Sequence, residues 1–349
     1  MEETRKVVEA LMKVGPRFSD ISRATGIPVS TVRYILTKKL PKLGFSIGAS
    51  VNYGALGLQR YLLTFRSSYP IHYISKILDL FGEYAYLDYY TYLMTEKKFL
   101  AVFAIPLSYE KDFLDFLNLL RSINLIEEMD VCKLIYMRPL PFMAEFFDFS
   151  RGVWIQDWIS MRKSRRVPEI SEYPDPQPKI DEIDLVLVTE LQKGITPLKY
   201  NIIARKFNLS RQTISKHYKH ARNLINFFTV FWVPHMNPQL LVLPLLVRVK
   251  ARENFRELLL SIPFTHAEFR SEQGDYFSML LIPNVGSYIT LKFLTSSLDV
   301  ISMDFQDMEY TGKFAVQYNL FKGGSWINVF DEVAKKLIIF VKSHNKSLL

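Results

Sequence analysis

Two segments of the chain place the same kinds of side chain at the same spacing. Ser30, Thr31, Arg33 and Tyr34 follow Gly26-Ile27-Pro28, with Lys38 and Lys39 just beyond. Ser210, Arg211, Gln212, Thr213, Ser215, Lys216 and Lys219 follow Asn208-Leu209. Arginine and glutamine can make paired hydrogen bonds to base edges, while lysine and hydroxyl side chains suit phosphate oxygens. Carried on one outward face of a helix, such a set suits double-stranded DNA read through the major groove. Arg33, Arg211 and Gln212 are expected at base edges, and Lys38, Lys39, Lys216 and Lys219 at phosphates.

The elements that must hold these side chains are legible. Ile21–Arg33 slides onto Ile203–Ser215, pairing Ile21 with Ile203, Ile27 with Leu209, Thr31 with Thr213 and Val32 with Ile214. In the first copy Gly26 supplies the turn, where positive φ is favoured. Pro28 opens the second helix at a position where its missing N–H costs little. Val32, Ile35 and Leu36 form the buried stripe. In the second copy Asn208 takes the turn, a role asparagine tolerates, and Ser210 is placed to cap the helix. Ile214 and Tyr218 are expected to point inward.

Charge agrees with this reading. The chain of 349 residues carries a formal net charge of +9. The surplus lies on residues 1–45 (+5), 181–226 (+4) and 151–180 (+2), whereas 46–150 is −3 and 227–349 is +1. Two basic patches joined by a basic linker are the footprint of a polyanion partner. No apolar run approaches the length of a membrane span, and the charged N-terminus does not read as a leader. A single cysteine, Cys132, excludes an intrachain disulfide and a cysteine-rich zinc site. The expectation is a cytoplasmic protein, nucleoid-associated in a prokaryote.

After each head the periodicity changes to strands and helices in the order β-α-β-β-α-β. Strands are predicted at 58–66, 83–93, 99–105 and 126–136, then at 241–250, 265–272, 276–282 and 299–309, from β-branched and aromatic enrichment. Helices are predicted at 71–81, 108–121, 253–261 and 285–296. This is the ferredoxin-like arrangement, twice. The fold class is α+β: two winged-type helix-turn-helix domains alternating with two ferredoxin-like sandwiches. The divisions are 1–45 (first head), 46–150 (first module), 151–180 (basic, proline-rich linker), 181–226 (second head), 227–325 (second module) and 326–349 (amphipathic helix). Pro168, Pro174, Pro176 and Pro178 make the linker stiff and extended. The basic cluster 162–166 before them is a candidate for DNA phosphates. Tyr84, Tyr86, Asp88, Tyr90 and Tyr92 alternate onto one strand face, expected to pack sheet against sheet.

A helix-turn-helix followed by β-α-β-β-α-β resembles the Lrp/AsnC (feast/famine) family of transcription regulators, here in duplicate. Gly274-Asp275-Tyr276-Phe277-Ser278-Met279-Leu280 looks like the glycine/aspartate-tyrosine stretch of that family's sensor domain; Thr95-Glu-Lys-Lys-Phe99 departs from it. The resemblance implies two modules pairing within one chain as the family's dimer does, and a small-molecule effector at those modules. The reading is a sequence-specific DNA-binding regulator rather than an enzyme, without cofactor, metal or catalytic residue, and with a homodimer as a further state. Its two recognition segments differ, so one chain should prefer an asymmetric site. Two other readings attach to the same fold. Siroheme decarboxylases look like Lrp-type proteins, some as fused copies, but His72, His235, His266 and His344 are scattered and form no compact His/Arg constellation in the sequence. An architectural protein coating DNA without sequence preference is the third.

Overall fold

The computed structural model describes residues 2–161, 163–194, 200–233 and 241–345. The first head comprises α1 (Glu2–Val14), α2 (Phe18–Thr25) and α3 (Val29–Tyr34). Gly26 closes α2 at φ 73°, the left-handed turn its lack of Cβ permits. Val7, Val8, Leu11, Ile21, Val32 and Leu36 make its core. Beyond Tyr34 the helix widens into a π turn, Ile35–Lys39. After the head, β1 (Phe45–Val51) leads into β2 (Leu58–Arg66), α4 (Ile71–Tyr84), β3 (Leu87–Leu93), β4 (Lys98–Pro106), α5 (Glu110–Ser122) and β5 (Glu127–Pro139).

The second half repeats the series. Its head holds α6 (Glu182–Gln192), α7 (Tyr200–Lys206) and α8 (Arg211–Asn223). Then come β6 (Ile225–Trp232), β7 (Val242–Lys250), α9 (Glu253–Leu260), β8 (Thr265–Ser271), β9 (Asp275–Pro283), α10 (Ser287–Ser297) and β10 (Val300–Lys313). A final helix, α11 (Phe330–Asn345), lays Phe330 against Phe113 and Phe116 of the first module. The fold is thus α+β with the expected tandem order.

The two four-stranded sheets close into one barrel, in the order β8-β9-β7-β10-β3-β4-β2-β5. The closing seams are β10 with β3 and β5 with β8, so each module supplies the other's missing edge. Leu62, Leu100, Val102, Leu246, Phe269, Phe277 and Met279 fill the interior, with the Phe269 and Phe277 rings stacked at 4.5 Å. Helices cover the outside. The strands flanking the heads, β1 and β6, were not anticipated; they pair antiparallel from Phe45↔Trp232 to Val51↔Ile225 and tie the two heads together.

One expectation is corrected. The tyrosine face runs opposite to the one predicted. Tyr90 donates to Asp79 of α4 and Tyr92 packs on Phe99 in the core beneath the helices, whereas Tyr89 enters the barrel and accepts from Gln306. Tyr84 ends α4 and is exposed, and Tyr86 (φ 63°) donates to the Ile327 carbonyl. A bulge between Leu87 and Tyr89 also breaks the strict alternation. The linker runs along the barrel and is bonded to it. Glu172 N–H donates to the Ile135 carbonyl and Asp175 N–H to the Gly54 carbonyl, both at 2.8 Å. Glu172 is buried against Arg60, and burial pushes its carboxyl up to about 7 against the opposing pull of Arg60.

Candidate functional site: an axial cavity between the heads and the barrel

A cavity of about 500 Å³ lies between the β1–β6 ribbon and the end of the barrel. Ile47, Ala49, Val230, Phe231 and Trp232 form one wall, and Met137, Leu140, Phe142, Trp154 and Phe264 continue the apolar lining. Its polar groups come from both modules: Arg60, Asp88, Arg138, His266, Gln306 and Lys313, with Gln192 and Lys193 from the second head. An apolar chamber of this size with a few convergent polar groups is what a small-molecule site requires.

Most of those polar groups are held by the protein. Asp88 accepts from Tyr53 Oη at 2.7 Å and from Arg60 Nε at 3.1 Å, and the Arg60 guanidinium lies 3.7 Å from the Tyr53 ring centre. Gln192 donates to Tyr53 Oη, bringing the second head into the same network. Arg138 donates through Nε to the fully buried Glu268 at 2.9 Å; Arg256 and Tyr276 also donate to Glu268. These buried networks fix positions at the cost of desolvation, although Arg138 Nη2 has only its ion-pair contact to Glu268 and no hydrogen bond.

Among the groups lining the cavity, Trp154 Nε1 has no hydrogen-bond partner among the described residues, and two further groups bear on its chemistry. His266 Nδ1 has no hydrogen-bond partner among the described residues. Burial, reinforced by Lys313 and Arg165, pushes the imidazole down to about 3, so it is neutral at physiological pH. Lys313 ends β10, is exposed and lines the cavity; its ammonium lies 4.1 Å from the Phe231 ring centre. Burial lowers its pKa, against the pull of Asp88 and with a further push from Arg60. The site is therefore a neutral imidazole and a cation facing apolar walls. Residues 60, 88, 138, 266 and 313 are far apart in sequence and meet only because the barrel closes, which is why no compact His/Arg set was visible there. His72 does not line this cavity, His235 lies outside the described residues, and nothing is described of the His344 side chain.

The proposed DNA-reading residues occupy the two heads. Ser30, Arg33, Tyr34 and Lys38 are exposed on α3 and its π turn, and Thr31 is half-buried. Lys39 donates to Thr4 Oγ1 at 2.7 Å, so it serves the head's own packing. Arg211, Gln212, Ser215, Lys216 and Lys219 are exposed on α8. Ser210 caps that helix, accepting from Thr213 N–H at 3.0 Å, and its hydroxyl meets that of Thr213 at 2.8 Å. Val32, Ile35, Leu36, Ile214 and Tyr218 are buried as expected. Within the basic cluster Arg165 is taken up by the fold, while Lys163 and Arg166 are exposed. Lys163 pairs with Glu145, and buried Arg165 donates to the carbonyls of Thr265 and Ile262, stapling the linker to the second module. Arg162 lies outside the described residues. Asp275 of the glycine/aspartate-tyrosine stretch is held by Arg248 and Lys250, which pull its carboxyl below the usual range against the effect of burial.

Fold and cavity together define a tandem α+β protein, with paired helix-turn-helix heads and a ligand-sized chamber between them and the barrel. No family model and no curated protein matches the chain. Among solved structures it is similar to the crystal structure of the siroheme decarboxylase NirDL, at TM-score 0.56 and 11% identity, covering 97% of this chain and 99% of that one. It is also similar to NirDL in co-complex with an iron-uroporphyrin III analogue, at TM-score 0.55 and 12% identity, over 98% and 99% of the two chains. At such identity the likeness is one of fold. Among the described residues no helix is long and apolar enough to cross a membrane.

Proposed function

We propose that the axial cavity takes a flat organic ligand bearing carboxylates, and that this ligand is an iron tetrapyrrole, the substrate of a decarboxylation. The observation that carries this reading is the cavity itself: aromatic and aliphatic walls around Lys313 and the unpartnered Nδ1 of His266. Full-length similarity of fold to a siroheme decarboxylase supports the choice of ligand. Apolar walls take the faces of a macrocycle, and cations take its carboxylates by charge-assisted hydrogen bonds. The reaction is redox-neutral as written: R–COO⁻ plus H⁺ gives R–H plus CO₂. Lys313 holds the carboxylate and, with its lowered pKa, can return the proton. In the tautomer protonated at Nε2, the unpartnered Nδ1 of His266 keeps a free lone pair beside the cavity.

Titrating the chain with iron uroporphyrin III while recording visible absorbance tests binding. Mass spectrometry for loss of CO₂ tests the reaction. A flat titration up to millimolar ligand sinks the reading.

A second reading, DNA recognition by the heads, is favoured by the exposure of Arg33, Tyr34, Arg211, Gln212, Lys216 and Lys219 on two basic helices. Selection from a random duplex library at two salt concentrations tests it. An enriched site with unlike half-sites supports it, whereas binding that vanishes with salt and enriches nothing would mean charge-driven coating.

A further inference from the structure

The second head carries a cluster that neither the cavity nor the base-reading face uses. Asp181 is the N-cap of α6, and Asp184 stands three residues on in a reciprocal capping box. From α8, one turn apart, His217 and His220 both turn towards Asp184. His217 Nδ1 lies 2.9 Å from Asp184 Oδ1 and 3.4 Å from Asp181 Oδ2; His220 Nδ1 lies 2.7 Å from Asp184 Oδ2. The ligand atoms of Asp181, Asp184 and His217 all lie within 4.8 Å of one another. Asp184 is almost fully buried, whereas His217 is 21% and Asp181 53% exposed, so the group opens to solvent on one side.

We infer that this is a divalent-metal site of the zinc class, joining α6 to the recognition helix α8. The donors are two imidazoles and two carboxylates, a set that suits borderline ions such as zinc or cobalt. Ligands about 2.1 Å from a tetrahedral ion are about 3.4 Å apart, the spacing His217 already has to Asp181. The two shorter separations are hydrogen-bond lengths and open by about half an ångström when the metal replaces the protons. Sequence spacing gave no sign of the site, because the carboxylates and histidines sit on different helices more than thirty residues apart.

The site belongs to the second head alone. The offset that superposes the recognition motifs puts Ile35 and Lys38 where His217 and His220 stand. In the first head the corresponding helices are joined by the Lys39–Thr4 hydrogen bond instead. A metal would thus clamp α8, with Arg211 and Gln212 at its start, to α6, giving the second head a dependence that the first lacks.

The test uses the untagged full-length chain, stripped of metal and titrated with Co²⁺ alone. A visible absorption of tetrahedral intensity at one equivalent, displaced by Zn²⁺, is expected. The band should disappear in His217→Ala and weaken in Asp181→Asn, both partly exposed positions, and the circular dichroism of each variant checks that it folds. No band, or a band unchanged in His217→Ala, overturns the proposal. As a second measurement, Zn²⁺ should raise the melting temperature of the wild-type chain and not that of His217→Ala/His220→Ala; an equal rise in both also overturns it.

Discussion

Asp88 and His266 occupy the same place in the two modules, the second residue of β3 and of β8, and both face the axial cavity. The barrel's pseudo-symmetry would make them alike, but the two halves have diverged there. Asp88 is tied down by Tyr53 and Arg60, while His266 keeps a ring nitrogen without a partner. One position builds the cavity and its counterpart is left to meet what enters.

That asymmetry separates two mutations. Asp88→Asn removes the charge facing buried Arg60 and should lower stability, by about 1–3 kcal/mol because Glu172 still pairs with the guanidinium. His266→Ala should leave the urea midpoint nearly unchanged and weaken tetrapyrrole binding. Equal effects of both on stability, with binding untouched, would count against the cavity as a ligand site.

Lys313 gives the sharpest affinity prediction. Its ammonium makes a cation–π contact with Phe231, and no carboxylate lies within ion-pair distance among the described residues. A charge-assisted hydrogen bond to a ligand carboxylate is worth about 1.5–3 kcal/mol, so Lys313→Met should raise the Kd for iron uroporphyrin III by roughly 10- to 150-fold. Calorimetric titration measures this directly. An esterified macrocycle, which lacks the carboxylate charge, should bind wild type and variant alike.

The pH dependence of stability follows from His266. Its folded pKa, about 3, lies below the ordinary imidazole value of 6.5. The folded state therefore binds fewer protons than the unfolded chain between those values. Stability is fully present above pH 6.5 and is lost as the pH falls towards 3, at no more than about 1.4 kcal/mol per pH unit. Urea midpoints at pH 7, 6 and 5 should fall less steeply in His266→Gln than in wild type. Parallel slopes would show that the imidazole is charged in the folded protein.

The linker prediction rests on Glu172, which reaches Arg60 from outside the first module. Removing one partner of a buried ion pair leaves the other uncompensated, at about 3–5 kcal/mol. Arg60 keeps Asp88 and the Met137 carbonyl, so Glu172→Ala should cost about 3 kcal/mol, the lower end of that range. It should also speed proteolysis between residues 163 and 180. A variant cleaved no faster than wild type would mean that the backbone bonds of Glu172 and Asp175 hold the linker unaided.

What the sequence revealed, and what it hid, follows the range of the interactions. The eight barrel strands announced themselves because each β-α-β-β-α-β unit is closed by local periodicity. Segments β1 and β6 did not, since Phe45–Val51 finds its partner some 180 residues away and a two-stranded ribbon has little pattern of its own. In β3 both faces are buried, so Leu-Asp-Tyr-Tyr-Thr-Tyr-Leu has no polar side to mark its orientation, and the tyrosine assignment reversed. The cavity was least legible. Arg60, Asp88, Arg138, His266 and Lys313 meet through barrel closure, a relation that spacing along the chain does not encode.

The last prediction concerns the heads. Arg211 stands at the first turn of α8, just after the Ser210 cap, and Lys219 lies two turns further on; both are exposed. If the helix enters a major groove N-terminus first, Arg211 meets base edges and Lys219 meets the backbone. Arg211→Ala should then cost about 1–3 kcal/mol on the selected sequence and relax one base position, while Lys219→Ala should weaken all duplexes alike and lower the salt slope by about 1. Fluorescence anisotropy with selected and scrambled duplexes distinguishes them. Equal loss on both duplexes for Arg211→Ala removes it from base reading. No binding by wild type at low salt would mean that the exposed basic face of α8 serves something other than DNA, leaving the cavity as the functional centre of the chain.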